Sequence, residues 1–65
     1  MKILVKQIRE DRKLSIRQLE EKSLISRSTL SRIENEETSP TMDEMEAMAS
    51  ALKTRIQNLY ESDYK

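Results

Sequence analysis

Arginines and small hydroxyl side chains recur at helical spacing between residues 26 and 35. In a helix over residues 27–35, Leu30 and Ile33 fall on one side, and Arg27 lies at the flank in the first turn. The opposite side carries no bulky apolar residue and consists of Ser28, Ser31, Arg32 and Asn35. Arginine can bind guanine O6 and N7 bidentately, and such a helix fits a DNA major groove about 12 Å wide. The pattern therefore favours a surface that contacts nucleotide edges.

Arg27 is an unusual residue for the first turn of a helix. The helix macrodipole is positive there, so an acidic side chain is preferred, and a cation costs some tenths of a kcal/mol. A phosphate or a guanine edge bound at that point would make the same cation favourable. An ordinary exposed arginine explains the residue equally well, so the sequence leaves both interpretations open.

Five short helices are predicted to position this surface, at residues 2–12, 16–23, 27–35, 42–52 and 55–61. Ser15 with Gln18, and Thr41 with Glu44, have the spacing of capping boxes, and Ser26 can cap the third helix. A strand at residues 3–5 is the alternative for the first segment, but no partner strand or hairpin turn follows it. The sequence thus predicts one all-α domain over residues 1–65, a compact bundle of five short helices.

The predicted core is small, because the chain has 65 residues and contains neither Phe nor Trp. The methionines of the fourth helix repeat at 3–4 spacing, which is more typical of core filler than of a ligand surface. The tail 61–65 is expected to fray. The residues expected to face inward are Leu4, Val5, Ile8, Leu14, Leu19, Ser23, Leu30, Ile33, Met42, Met45, Met48, Ala49, Leu52, Ile56, Leu59 and Tyr60.

The composition argues against most enzymes. The chain has no Cys, no His and no Gly, which excludes thiolate sites, imidazole bases and glycine-rich phosphate loops. The adjacent pairs Glu20-Glu21 and Glu36-Glu37 are better explained as solvated carboxylates, since neighbours on a helix point about 100° apart. The longest apolar run, residues 3–5, is far too short for a membrane span. We therefore expect a soluble cytoplasmic binding module with no cofactor and no metal.

The charges are balanced in number but not in position. Residues 1–35 hold nine basic and five acidic side chains, a net charge of +4, and residues 36–65 hold three basic and seven acidic ones, a net charge of −4. A positive half can bind a polyanion while the negative half points away from it. The alternative is two solvated faces that happen to differ in sign.

Only Leu24, Ile25 and Ser26 separate the second and third helices, and so short a turn forces a sharp crossing. Residues 14–35 resemble the helix-turn-helix of phage repressor/Cro-type regulators, the XRE-like family, and residues 26–35 match its pattern nearly residue for residue. The similarity extends over about residues 4–60. It implies the lambda-repressor-like DNA-binding fold, with the helix-turn-helix at its centre.

The resemblance also implies roles for individual residues. It implies base reading by Arg27, Ser28 and Arg32, and contacts with the DNA backbone by Ser26, Thr29 and Asn35. From their charge and their place on the helices, we also expect Arg17 and Ser31 to contact the DNA backbone. An ion pair between the first and third helices would join Arg9 and Glu34. Similar proteins bind palindromic operators as dimers, often through the C-terminal helix. The dimer candidates are Ile56, Leu59, Tyr60 and Tyr64, of which Ile56 and Leu59 fit an internal core as well.

The sequence departs from the family pattern in three respects. Ile16 stands where the family usually has a Gln whose amide meets a phosphate. Gly is usual where this chain has Lys13, Leu24, Glu36 and Lys53, and a left-handed Leu24 would cost about 1–2 kcal/mol. The loop after the third helix, often basic in the family, reads Glu36-Glu37 and would repel a nearby phosphate.

These features together predict a sequence-specific DNA-binding transcription regulator, a repressor that binds a double-stranded operator as a homodimer, with no small-molecule ligand and no membrane partner. The alternative is a protein-interaction module of the same fold, antirepressor-like or antitoxin-like, with weak or no DNA binding. The acidic second half and the missing basic loop favour that alternative.

Overall fold

Four α-helices carry most of the chain in the computed structural model, which describes residues 1–65. Two short strands and one turn of 3₁₀-helix complete it. In chain order the elements are β1 (Lys2–Ile3), α1 (Val5–Asp11), α2 (Ile16–Ser23), α3 (Arg27–Glu34), α4 (Met42–Leu52), the 3₁₀ turn (Ile56–Asn58) and β2 (Tyr60–Glu61).

The two ends of the chain form a β-ribbon, and this corrects the expected five-helix bundle. Strands β1 and β2 pair antiparallel, with Lys2 opposite Glu61 and Ile3 opposite Tyr60. The first helix therefore begins at Val5, and the expected fifth helix at 55–61 is a 3₁₀ turn followed by a strand. The strand alternative for the first segment lacked only a partner. That partner, β2, lies at the opposite end of the chain, so no hairpin turn connects the two strands.

Side-chain caps start three of the helices, as the sequence predicts. Ser15 Oγ accepts from the Gln18 N–H at 3.1 Å while Gln18 Oε1 accepts from the Ser15 N–H at 2.8 Å. Thr41 and Glu44 form the same reciprocal pair at 3.0 and 2.8 Å. Ser26 Oγ accepts from the Thr29 N–H at 3.3 Å at the start of α3. These caps satisfy donors that a helix leaves unpaired, and they fix where each helix begins.

Each α-helix is followed within two residues by a left-handed residue that is not glycine. Left-handed backbone brings Cβ close to the following carbonyl, which costs about 1–2 kcal/mol per residue. The φ angles lie between 54° and 62°, so all four positions where the family has glycine keep the glycine-like conformation. These residues are Lys13, Leu24, Glu36 and Lys53.

The core lies between the four helices, with α4 packed against α1, α2 and the 3₁₀ turn. Met45 and Met48 are buried, which confirms that the methionines of α4 fill the core. Met42 is the exception, because it occupies the first turn of α4 and stays 69% exposed. No helix combines the length and the apolar character that a membrane crossing requires. The buried residues are Val5, Leu19, Ser23, Leu30, Ile33, Met45, Met48, Ala49, Leu52 and Leu59.

Candidate nucleic-acid interface

Helices α2 and α3 pack against each other across the turn Leu24–Ser26, which gives the expected helix-turn-helix. Leu30 and Ile33 of α3 are completely buried and fix this helix to the core. Its other side is open to solvent, with Ser28, Arg32 and Asn35 exposed. The core thus holds α3 by one face and leaves the polar face available for contact.

Arg32 is the least constrained cation on this face. Its side chain is exposed and forms no hydrogen bond or ion pair within the chain. Ser28 lies one turn earlier and is also exposed. A guanidinium with all five donors unused can bind a guanine edge bidentately without first breaking an internal contact.

Arg27 has a partner inside the chain, which the sequence did not indicate. The Arg27 N–H donates to Glu20 Oε2 at 3.0 Å, and Arg27 Nε lies 3.3 Å from Glu20 Oε1. The Glu20 carboxylate therefore supplies negative charge at the start of α3 and offsets the unfavourable cation in the first turn. The sequence left open that this unfavourable cation indicates a phosphate or guanine bound outside the chain. Because Glu20 already offsets the charge, the position of Arg27 does not by itself indicate such a partner.

Three hydroxyl groups gather at the start of α3. Ser26 Oγ donates to Thr29 Oγ1 at 2.9 Å, and the Ser26 and Ser28 hydroxyls lie 3.3 Å apart. Ser26 is exposed and Thr29 is half-buried. The start of α3 therefore carries hydroxyl groups where the resemblance implies backbone contacts by Ser26 and Thr29 and base reading by Ser28.

The remaining residues expected to contact the DNA backbone lie on α2 and α3. Arg17 is exposed on α2, and its Nε is 3.7 Å from Glu21 Oε1, an ion pair between two well-solvated side chains. Ser31 is half-buried on α3, and Asn35 is the exposed residue that ends this helix. Exposed ion pairs of this kind contribute about 0–1 kcal/mol, so Arg17 can leave Glu21 for a phosphate at little cost.

Arg9 and Glu34 form the ion pair that the resemblance implies between α1 and α3. Arg9 Nε lies 2.8 Å from Glu34 Oε2 and Nη2 lies 3.2 Å from Oε1, while Nη1 donates to the Leu14 carbonyl at 2.8 Å. The hydrogen bond to Glu34 raises the pKa of Arg9 above its ordinary value, against the opposing effect of burial. Arg9 therefore stays charged at any ordinary pH. The pair ties the end of α3 to α1 and so helps to hold the exposed face in place.

The Glu36 side chain contacts β1 and supports the β-ribbon. Its Oε1 accepts from the Ile3 N–H at 3.1 Å, on the edge of β1. Glu37 follows as an exposed side chain without a hydrogen bond of its own. The acidic loop therefore contains one structural carboxylate and one solvated carboxylate, and no sequence pattern linked Glu36 to the other end of the chain.

The dimer candidates separate into packed and exposed residues. Leu59 is completely buried in the core, while Ile56 and Tyr60 are half-buried against it. Lys65 Nζ lies 5.2 Å from the centre of the Tyr60 ring and donates to the Tyr60 carbonyl at 2.8 Å. Tyr64 is 98% exposed. The C-terminal helix expected to carry these residues does not form, so they share no helical face.

Comparisons with known proteins agree with this geometry. The N-terminal DNA-binding domain of SinR from Bacillus subtilis has a similar structure, with a TM-score of 0.81 and 26% sequence identity over 94% of this chain and 90% of that one. No curated protein sequence matches the chain significantly. A helix-turn-helix family model matches residues 5–59, which include all four helices. The chain therefore belongs to the helix-turn-helix family, as a regulator of the XRE-like type.

Proposed function

We propose that this protein is a sequence-specific DNA-binding transcription regulator that represses by occupying its operator. Helix α3 enters the major groove, and α2 lies across the sugar–phosphate backbone. The observation that carries the proposal is the exposed polar face of α3, where Ser28 and the unpaired Arg32 lie opposite the buried Leu30 and Ile33. The activity is binding and involves no catalytic group.

The distribution of charge supports a polyanionic partner. Residues 1–35, which include α1, α2 and α3, carry the whole excess of +4. The Glu36 carboxylate keeps its negative charge when it accepts from the Ile3 N–H, but this hydrogen bond holds it at β1 and leaves Glu37 as the loop carboxylate without a hydrogen bond. The zero net charge of the chain therefore does not conflict with DNA binding, because association responds to the local field near the contact surface.

We further propose that the protein acts as a homodimer on a palindromic operator. If each protomer neutralises three phosphates, a dimer releases counterions with a slope of log affinity against log salt of about −5. Tyr64 is the dimer candidate most available to a second copy, while Ile56 and Tyr60 have only partly exposed surfaces to offer. The relative SinR supports the DNA partner, since the domain that resembles this chain is described as DNA-binding.

Selection of bound sequences from random duplex DNA at a stated salt concentration tests the proposal directly. We expect enrichment of a palindrome. Arg32→Ala should then relax the preference at one position of each half-site and weaken specific binding by about 1–3 kcal/mol. Arg55→Ala is the matched control, because Arg55 is an exposed arginine outside α2 and α3 that also lacks an internal partner.

Two results would contradict the proposal. Equal loss of affinity for operator and random duplex in Arg32→Ala would identify Arg32 as a phosphate contact, so that base reading would have to come from other residues. Failure of the wild-type chain to enrich any sequence, even at low salt, would favour the protein-interaction module instead.

A further inference from the structure

Glu20 joins the two helices of the helix-turn-helix through both of its carboxylate oxygens. It lies on α2, yet one oxygen accepts from the Arg27 N–H at 3.0 Å and the other lies 3.3 Å from Arg27 Nε. The Glu20 side chain is 35% exposed and that of Arg27 is 61% exposed. One carboxylate thus contacts both the start of α3 and the side chain of its first residue.

The contact leaves the end of the guanidinium available. Glu20 approaches Arg27 through Nε, whereas bidentate recognition of guanine can use the terminal nitrogens Nη1 and Nη2. The two interactions are therefore compatible in one side-chain conformation. A side chain already held in that conformation loses less rotational freedom when it binds than a side chain that moves freely.

We propose that Glu20 is a positioning residue that determines base specificity by orienting Arg27 toward a guanine. This inference depends on the proposed DNA-binding function. The Glu20 carboxylate also places a negative charge beside the start of α3. Because phosphates are repelled by this charge, contact of Arg27 with phosphates is disfavoured. Glu20 therefore raises the discrimination between operator and random DNA in two ways, and the second works by weakening non-specific binding.

The neighbouring Glu21 provides a matched control. It carries the same charge one residue later on α2, is 68% exposed, and pairs only with the exposed Arg17. Removal of either charge should strengthen binding to random duplex by a similar factor. Only Glu20 contacts Arg27, so only its removal should change the preference for one base.

The test measures the ratio of affinities for the selected operator and for the same operator with the guanine read by Arg27 replaced. That guanine is the position at which Arg27→Ala loses preference. We expect Glu20→Gln to lower the ratio about two- to tenfold, which is the range that ordering one long side chain is worth. Glu21→Gln should leave the ratio unchanged. In the Arg27→Ala background, Glu20→Gln should have no effect on the ratio.

A second variant separates positioning from charge and from folding. Glu20→Asp keeps the negative charge but is one methylene shorter, so it should lower the ratio while leaving the affinity for random duplex unchanged. A purely structural role of Glu20 would instead lower the unfolding temperature and weaken binding to every sequence alike.

Several outcomes would overturn the inference. A normal ratio in Glu20→Gln, with operator binding retained, would show that Arg27 needs no positioning. A further fall of the ratio when Glu20→Gln is added to Arg27→Ala would show that Glu20 acts on base preference without Arg27. If the wild-type chain binds no duplex at any salt concentration, both the proposed function and this inference are wrong. The selection experiment detects that result separately, because it uses no Glu20 variant.

Discussion

The partly buried ion pair between Arg9 and Glu34 should control both the stability of the fold and the position of α3. The two side chains are only 12% and 5% exposed, and Arg9 contributes three short contacts, two to Glu34 and one to the Leu14 carbonyl. Removal of one member of a fully buried pair costs about 3–5 kcal/mol, and the lower end of that range, about 3 kcal/mol, is expected for this partly buried pair. Glu34→Leu should therefore destabilise the domain by about that amount.

This loss is large for so small a domain. A core of this size supplies about 3–5 kcal/mol in total, so Glu34→Leu should lose most of the free energy of unfolding at 25 °C. Urea unfolding and thermal unfolding followed by circular dichroism measure the effect, and each kcal/mol corresponds to about 4–8 °C in a domain of this length. The matched control is Glu21→Gln, which breaks the exposed pair with Arg17 and should cost less than about 1 kcal/mol.

The double variant Arg9→Met with Glu34→Leu provides the decisive comparison. Replacement of both charges by apolar groups of similar size removes the desolvation penalty, so most of the stability should return. The Leu14 carbonyl loses its donor in this variant, so a deficit of about 1–3 kcal/mol should remain. If the double variant is no more stable than Glu34→Leu, the unpaired charge of Arg9 is not the cause of the loss.

Three further predictions concern the turn, the cap and the acidic loop. Leu24→Gly should stabilise the domain by about 1 kcal/mol in urea unfolding because it removes left-handed strain, whereas Leu24→Ala should not; equal effects would refute strain as the cause. Thr41→Ala should cost about 1 kcal/mol by breaking the capping box of α4, and the exposed Thr38→Ala should cost almost nothing. Glu37→Lys should strengthen binding to all duplexes and steepen the salt dependence by about one unit per protomer, and an unchanged salt slope would place Glu37 far from the backbone.

The sequence alone determined the features that depend on neighbouring residues. The caps at Ser15, Ser26 and Thr41 are local hydrogen bonds, and the inward face of α3 follows from the spacing of Leu30 and Ile33. Because each of these patterns spans only a few residues, the start of each capped helix and the exposed polar face could be predicted without a structure.

The family resemblance extended this prediction to particular pairs and positions. It implied the contact between Arg9 and Glu34, which no periodicity indicates because the two residues lie on different helices. It also marked four glycine-like positions, and Leu24 takes the left-handed conformation despite its bulky side chain. The fold requires a left-handed backbone at these helix ends. The conformation is therefore kept when glycine is replaced by another residue.

Tertiary structure alone decided the contacts between segments distant along the chain. Lys2–Ile3 forms a strand because Tyr60–Glu61 pairs with it. The Glu36 carboxylate accepts from the Ile3 N–H at the edge of this strand. The turn between α2 and α3 places Glu20 beside Arg27. The carboxylate offsets the positive charge that the sequence alone had made unfavourable at the start of α3. Local patterns could not show these results, because each depends on a hydrogen-bond partner or a charge that only the folded chain brings within a few ångströms.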